Sequence, residues 1–253
     1  MEAHTVRVTR RSLRTLTSLL FGVLLLSVVM VLVIAHRQNS DSMQQDQMLL
    51  RQAWHSQQQE MLTNVRDYAN WGEAWKNLHL TVNKVWAWDE ENFGPSLYKE
   101  FHYDGVFVVD GKGHTRYAVV HGAQVDTSIE TWFGEQSSAL VTAARQQPQE
   151  GIIRSTVINQ LPAMVVAVPI TPGKVPDLPT IPGPPSVMVF VSVFSADKLL
   201  QMGKSLNVLQ PRIASSLSDA LEEPRLLEPS LQSEPLVLRW QAKNPGFGVI
   251  WLM

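Results

Sequence analysis

YDGVFVVDGKGHTRYAVVHG, residues 103–122, holds two β-rich runs, Val106 to Asp110 and Thr115 to His121, on either side of Gly111-Lys112-Gly113. Apolar, β-branched runs broken by a glycine pair predict a β-hairpin. Upstream, Asp89 to Phe101 predicts a helix whose first turn carries Asp89, Glu90 and Glu91, acids that complement the helix dipole. Downstream, Ser128 to Gln146 predicts another, with Trp132, Phe133, Leu140, Val141 and Ala144 as its apolar residues. GIIRSTVINQLPAMVVAVPI, residues 151–170, reads as two further strands turning at Asn159 to Pro162. Thr171 to Pro185 is so rich in proline and glycine that it predicts an exposed, extended loop. PSVMVFVSVF, Pro185 to Phe194, is a near-continuous apolar run suited to a central strand, and Ala196 to Leu206 returns to helix. Asn207 to Glu234 is too punctuated by proline for a long element, and PLVLRWQ then predicts a last strand. This order predicts an α+β fold, an antiparallel sheet with helices on one side.

Working back from the hairpin, QNSDSMQQDQMLLRQAWHSQQQEMLTNVRDYANWGEAW, residues 38–75, has neither proline nor glycine before Gly72, which predicts one long helix. Trp54, Met61, Tyr68 and Trp75 recur every seven residues, with Leu50 and Val65 in the same stripe. Such a face packs on its own domain or forms a homodimer seam, two uses that are compatible if the membrane-proximal part pairs while the distal part packs, and Gln44, Gln47 and Gln58 interrupt the seam. The helix continues from TLTSLLFGVLLLSVVMVLVIA, Thr15 to Ala35, which carries no charge. At 1.5 Å per residue that stretch spans roughly 30 Å, the thickness of a bilayer's hydrocarbon core. It exceeds the apolar core of a cleaved signal peptide, so it reads as a retained transmembrane helix. Arg7, Arg10, Arg11 and Arg14 precede it, against Arg37 and then Arg51 after it, which predicts residues 1–14 in the cytoplasm and the chain beyond the span in the periplasm or outside the cell. Residues 36–44 form a juxtamembrane helix, residues 45–248 the exported domain, and Val249 to Met253 the expected start of a second membrane span.

Composition narrows the function. A net charge of -2 and no basic cluster outside the N-terminal tail leave no electrostatic footprint for nucleic acid. Without cysteine the chain makes no disulfide, thiolate metal site or cysteine nucleophile. No G-x-S-x-G elbow, H-E-x-x-H or phosphate loop is present, and Gly111-x-Gly113 is followed by Arg116 where a dinucleotide fingerprint needs glycine. His114 and His121 stand an odd number of residues apart, on opposite faces of a strand, and share no metal there. No enzyme, metal or cofactor is expected. Five of the eight tryptophans, Trp54, Trp71, Trp75, Trp86 and Trp88, fall in one window with Tyr68, Tyr98 and Tyr103 close by. Such residues build cores and line small-molecule pockets alike.

DYANWGEAWKNL, then Trp88, Asn92 and Gly94 in WDEENFG, then Tyr103 to Gly122, resemble the fourth class of CHASE domains, extracellular sensory modules of bacterial cyclases and histidine kinases. LPAMVVAVPI, VMVFVSVFSADKLL with Ser205-Leu206-Asn207, and LRWQAKNPG continue the match in order over about residues 45 to 250. Gly72 and Glu73 depart from it, standing where the family often has a pair of acids, as does Trp75, where it often has tyrosine. The resemblance implies a PAS-like or Cache-like sensor fold between two membrane helices, with an output module beyond, commonly one acting on cyclic di-GMP. The expected function is a signal-input domain that binds a small molecule or protein in the periplasm and moves the long helix. Its candidate ligand-binding residues are Trp71, Trp75, Trp88, Asn92, Tyr103 and Asp104, with Asn92 and Asp104 orienting a polar ligand. The alternative is an anchored periplasmic interaction module with no output domain.

Overall fold

Helix α1 runs over Glu2–Ala69, as a proline-free and nearly glycine-free stretch predicts, but stops short of the expected end at Trp75. The computed structural model describes residues 2–175, 177–214, 224–232 and 234–246. They divide into two units, Met1–Met48 with Ala242–Met253, and Leu49–Gln241. The expected membrane span beginning at Val249 lies outside the described residues.

In the first unit α1 is the one described helix long and apolar enough to cross a membrane. Leu16, Leu20, Phe21 and Leu26 stand exposed, as lipid-facing side chains do. The Ser27 hydroxyl donates to the Val23 carbonyl, so a polar atom in the apolar stretch is satisfied within the helix. The segment 242–246 fastens onto α1. Lys243 Nζ lies 2.8 Å from Asp46 Oδ1, a carboxylate almost fully buried. The Gly246 N–H donates to Asn39 Oδ1 at 2.8 Å, and a Cβ on Gly246 would overlap the backbone of Ala35.

The second unit is built on a six-stranded antiparallel sheet in the order β3-β2-β1-β6-β5-β4. Its strands are β1 Gly105–Val109, β2 Thr115–Val120, β3 Ala123–Gln124, β4 Ile152–Ile158, β5 Leu161–Pro169 and β6 Val187–Val193. The predicted hairpin is β1 and β2, and β6 pairs with both β1 and β5 as a central strand. Asn159 and Gln160, both at positive φ, close the turn between β4 and β5.

Both faces of the sheet are covered, which corrects the expectation of helices on one side. Val106, Val108, Val166 and Phe190 join Leu50, Trp54, Met61 and Val65 of α1 in one core. Phe107, Val109, Val165 and Val189 join residues of α4 (Glu130–Phe133) and α5 (Gln136–Arg145) in another. The reason lies in the strands: β1, β5 and β6 are apolar at consecutive positions, and successive side chains point to opposite faces, so two layers must shield them. Packing on its own domain buries Leu50, Trp54, Met61 and Val65 of the stripe on α1.

Three helical expectations change. Ser128 to Gln146 breaks into α4 and α5 at Gly134, which sits at φ 56°. Asp89 to Phe101 shrinks to α3, Pro95–Lys99, because Gly94 before proline takes an extended conformation, φ -99° and ψ -150°. Asp89 therefore ends a π-helical turn, Val85–Asp89, instead of opening an α-helix. Before it lie α2, Gly72–Ala74, and a second π turn, Trp75–Leu80. Helix α6, Ala196–Leu206, matches its prediction, capped by the Ser195 hydroxyl and by Asn207 in the left-handed conformation. A small sheet, β7 (Leu209–Ile213), β9 (Leu236–Gln241) and β8 (Arg225–Glu228) in the order β7-β9-β8, completes the unit; only β9 is foreseen as a strand.

Candidate ligand-binding site

The pairing of β1 with β2 slips by one residue at its open end: Val108 faces Tyr117, Val109 faces Thr115, and Arg116 is left over. Such a bulge re-aims the side chain at the extra position. Arg116 here lines a cleft of about 580 Å³ beside the hairpin turn.

The turn itself is held by Asp110. Its Oδ1 accepts the backbone N–H groups of Lys112 and His114, each at 2.9 Å, and its carbonyl accepts from the Arg145 guanidinium at 2.7 Å. Lys112 and His114 are thereby presented on the rim, with His114 Nδ1 3.7 Å from Asp110 Oδ2.

The opposite wall comes from the π turn and the proline-rich loop. In the π turn Trp75, Leu78 and His79 are buried, and the rings of Trp75 and His79 lie 4.1 Å apart. Thr171 to Pro185 is mostly exposed, as predicted, yet tied at intervals. The Thr171 hydroxyl donates to Asn70 Oδ1, and Trp75 Nε1 donates to the Pro179 carbonyl at 2.8 Å. A Cβ on Gly111 would strike the Pro184 carbonyl, so the loop passes against the hairpin turn where only glycine fits. Leu78, Leu80, Val82, Ile181 and Pro182 give the cleft its apolar wall.

His79 Nδ1 accepts the Ser186 backbone N–H at 3.2 Å and lies 3.1 Å from the Ser186 hydroxyl. Burial holds the ring's pKa below its ordinary value, so it stays neutral and carries its proton on Nε2. Among the described residues neither Arg116, Lys112 nor that Nε2 has a hydrogen-bond acceptor of its own.

The six residues singled out by sequence do not gather in this cleft. Trp71 is more than a third exposed, with its ring 5.3 Å from Trp86. From there ring contacts pass through Phe93 and Phe190 to Tyr103. Trp75 is spent on the Pro179 carbonyl, and Trp88 is half-buried against the same core. Asn92 donates to the Trp86 carbonyl at 2.9 Å, closing the loop that follows the π turn Val85–Asp89. Tyr103 accepts from Asn64, and burial raises its pKa. Asp104 is nearly buried and joins four elements: Oδ2 accepts from the Val193 N–H at 2.7 Å and lies 3.3 Å from Lys198 Nζ, while Oδ1 lies 3.5 Å from His121 Nδ1. His114 and His121 sit beside different aspartates, Asp110 and Asp104. No group of metal-binding side chains forms among the described residues. The residues that sequence reasoning passed over are His79, Lys112, His114, Arg116 and Ser186. The signal available for three of them is the alternation Lys112, His114, Arg116, which puts cations at every second position after the turn.

The profile of the CHASE4 domain matches residues 53–211. Among solved structures, the extracellular domain of vpHK1S-Z8, described as a histidine kinase, is similar, with 11% sequence identity, coverage of 87% of this chain and 96% of that one, and a TM-score of 0.49. No curated protein matches the sequence.

Proposed function

This chain belongs to the CHASE4 domain family, a family of extracellular sensory domains, and on that premise we propose that it is the signal-input part of a membrane receptor. The domain binds a small molecule outside the cytoplasm, in the cleft beside the β1–β2 turn. Binding shifts a two-state packing of the sheet against α1, and the shift passes along α1 to an output module, with cyclic di-GMP synthesis or breakdown as its chemistry. One observation carries this reading: the helix that includes the apolar stretch Thr15 to Ala35 also places Leu50, Trp54, Met61 and Val65, all buried, against the sheet. Close-packed cores rearrange between discrete states instead of deforming smoothly, so a change on the sheet has to be answered by α1. A ligand achieves this only by binding one state better than the other.

Two measurements test it. The natural chain has no cysteine, so Ser12→Cys and Ser138→Cys give single labelling sites. A membrane-impermeant maleimide added to intact cells should label Ser138→Cys and leave Ser12→Cys unlabelled, and the reverse would overturn the orientation. The coding sequence beyond Met253 decides the output: an apolar span followed by a cyclase, phosphodiesterase or kinase module supports the receptor. A stop codon there overturns it in favour of an anchored interaction module.

A further inference from the structure

We infer that the cleft beside the β1–β2 turn is selective for a small organic carboxylate, with Arg116 and Lys112 meeting the carboxylate and the His79–Pro184 wall covering its hydrocarbon part. The inference rests on the sensor reading and specifies the chemistry of its ligand.

Charge is the first ground. Lys112, His114 and Arg116 line the cleft with a single acid, Asp110. Oδ1 of that acid is used by two N–H bonds internal to the turn, and Oδ2 lies 3.7 Å from His114 Nδ1. Among the described residues no carboxylate pairs with Arg116 or Lys112. Two cations against one carboxylate leave a net positive charge on a concave, partly apolar surface, which favours an anion, and a guanidinium matches a carboxylate with two parallel hydrogen bonds.

The hydrogen-bond inventory agrees. The Ser186 N–H occupies His79 Nδ1, and this fixes Nε2–H as a donor. The lining thus offers donors from His79, Lys112 and Arg116, while Asp110 Oδ1 is already engaged by the turn.

Shape decides between an organic and an inorganic anion. A volume of about 580 Å³ lies within the range of small-molecule sites, roughly 300–1,000 Å³. A bare phosphate would leave most of it empty. Leu78, Leu80, Val82, Ile181 and Pro182 give an apolar surface that a hydrocarbon skeleton covers and an inorganic ion does not.

Titration calorimetry of the full chain in lipid nanodiscs tests this with benzoate, phenylacetate and succinate. Each is paired with its neutral amide, and inorganic phosphate is run as the skeleton-free anion. At least one carboxylate should bind, and its amide should bind at least tenfold more weakly. Arg116→Gln should weaken that carboxylate at least tenfold, the loss expected for one charge-assisted hydrogen bond, and Lys112→Gln by a smaller factor. Both side chains are exposed, so these variants keep the fold, which an unchanged melting temperature in ligand-free buffer would verify. Binding of an amide as tight as its acid, phosphate binding as tight as every carboxylate, no binding by any carboxylate, or affinity unchanged in Arg116→Gln would each overturn the inference. None of those results would touch the sensor reading, which stands or falls on topology and on the sequence beyond Met253.

Discussion

The aromatic segment from Tyr68 to Tyr103 and the cleft beside the β1–β2 turn differ in what their polar atoms do. In the aromatic segment three of the candidate residues have theirs spent: Trp75 Nε1 on Pro179, Asn92 on Trp86, and Tyr103 on Asn64. The Tyr117 hydroxyl next to it donates to the Phe93 carbonyl at 3.0 Å, and burial raises its pKa strongly. In the cleft the anchoring atoms are satisfied, but the charged ends of Lys112 and Arg116 are left to solvent. Conspicuous residues mark where a domain needs bulk, whereas unspent donors mark where it can take something from outside. The strongest sequence signal, the density of tryptophan, thus belongs mainly to the core, while the cations of the cleft come from the hairpin.

The contrast can be broken most decisively at Trp54, fully buried on α1 with its Nε1 donating to the Ser155 hydroxyl at 3.2 Å. Trp54→Ala should cost about 3–5 kcal/mol in chemical unfolding, the penalty for a large core cavity. A loss under about 1 kcal/mol would mean that this face of α1 is not held by packing. Asp104 comes next. If its carboxylate is structural, Asp104→Ala should cost about 1–3 kcal/mol by stranding the Val193 N–H and removing the counter-charge of Lys198. The same variant should leave ligand affinity alone; a folded variant that loses affinity instead would return Asp104 to the binding site.

His79 sharpens the comparison through pH. Its pKa is lowered in the folded state by burial, so the unfolded chain binds the proton first. Stability is therefore unaffected above the ordinary histidine pKa of about 6.5 and falls as pH drops below it. The melting temperature should decline less steeply between pH 7.5 and 5 in His79→Asn than in the natural chain, and parallel profiles would refute the assignment. Glu228, whose pKa burial raises, works in the opposite sense and is present in both proteins, so it cancels from the difference. The smallest effect belongs to the rim: Arg116→Gln should change unfolding free energy by no more than about 0.5 kcal/mol. A larger loss would show that this arginine is part of the scaffold.

Much of the frame was legible. The helix through Ala69, the hairpin, the central strand β6 and helix α6 all follow from local pattern, because each has a long periodic or continuous signal. Coverage of both sheet faces was implied by the unbroken apolar runs of β1, β5 and β6, and required only that alternation be taken to its consequence. The cleft was not legible, for three physical reasons. A bulge depends on the pairing register of two strands, which Arg116 alone does not announce. The π turn that buries His79 depends on tertiary packing. The proline-rich loop could be recognised as a loop, but which surface it closes over was written in distant residues, Gly111 and Asn70, which it meets only after folding.

The meeting of Gly246 with Ala35 also bears on ancestry. A segment whose first and last residues touch can be spliced into a host protein, or lost from it, without separating the flanking ends, as for insertions whose termini lie together. The chain between these two residues is therefore a portable cassette. Another domain could stand in its place without moving the helix that carries Ala35, so that the domain can change while what flanks it is inherited intact.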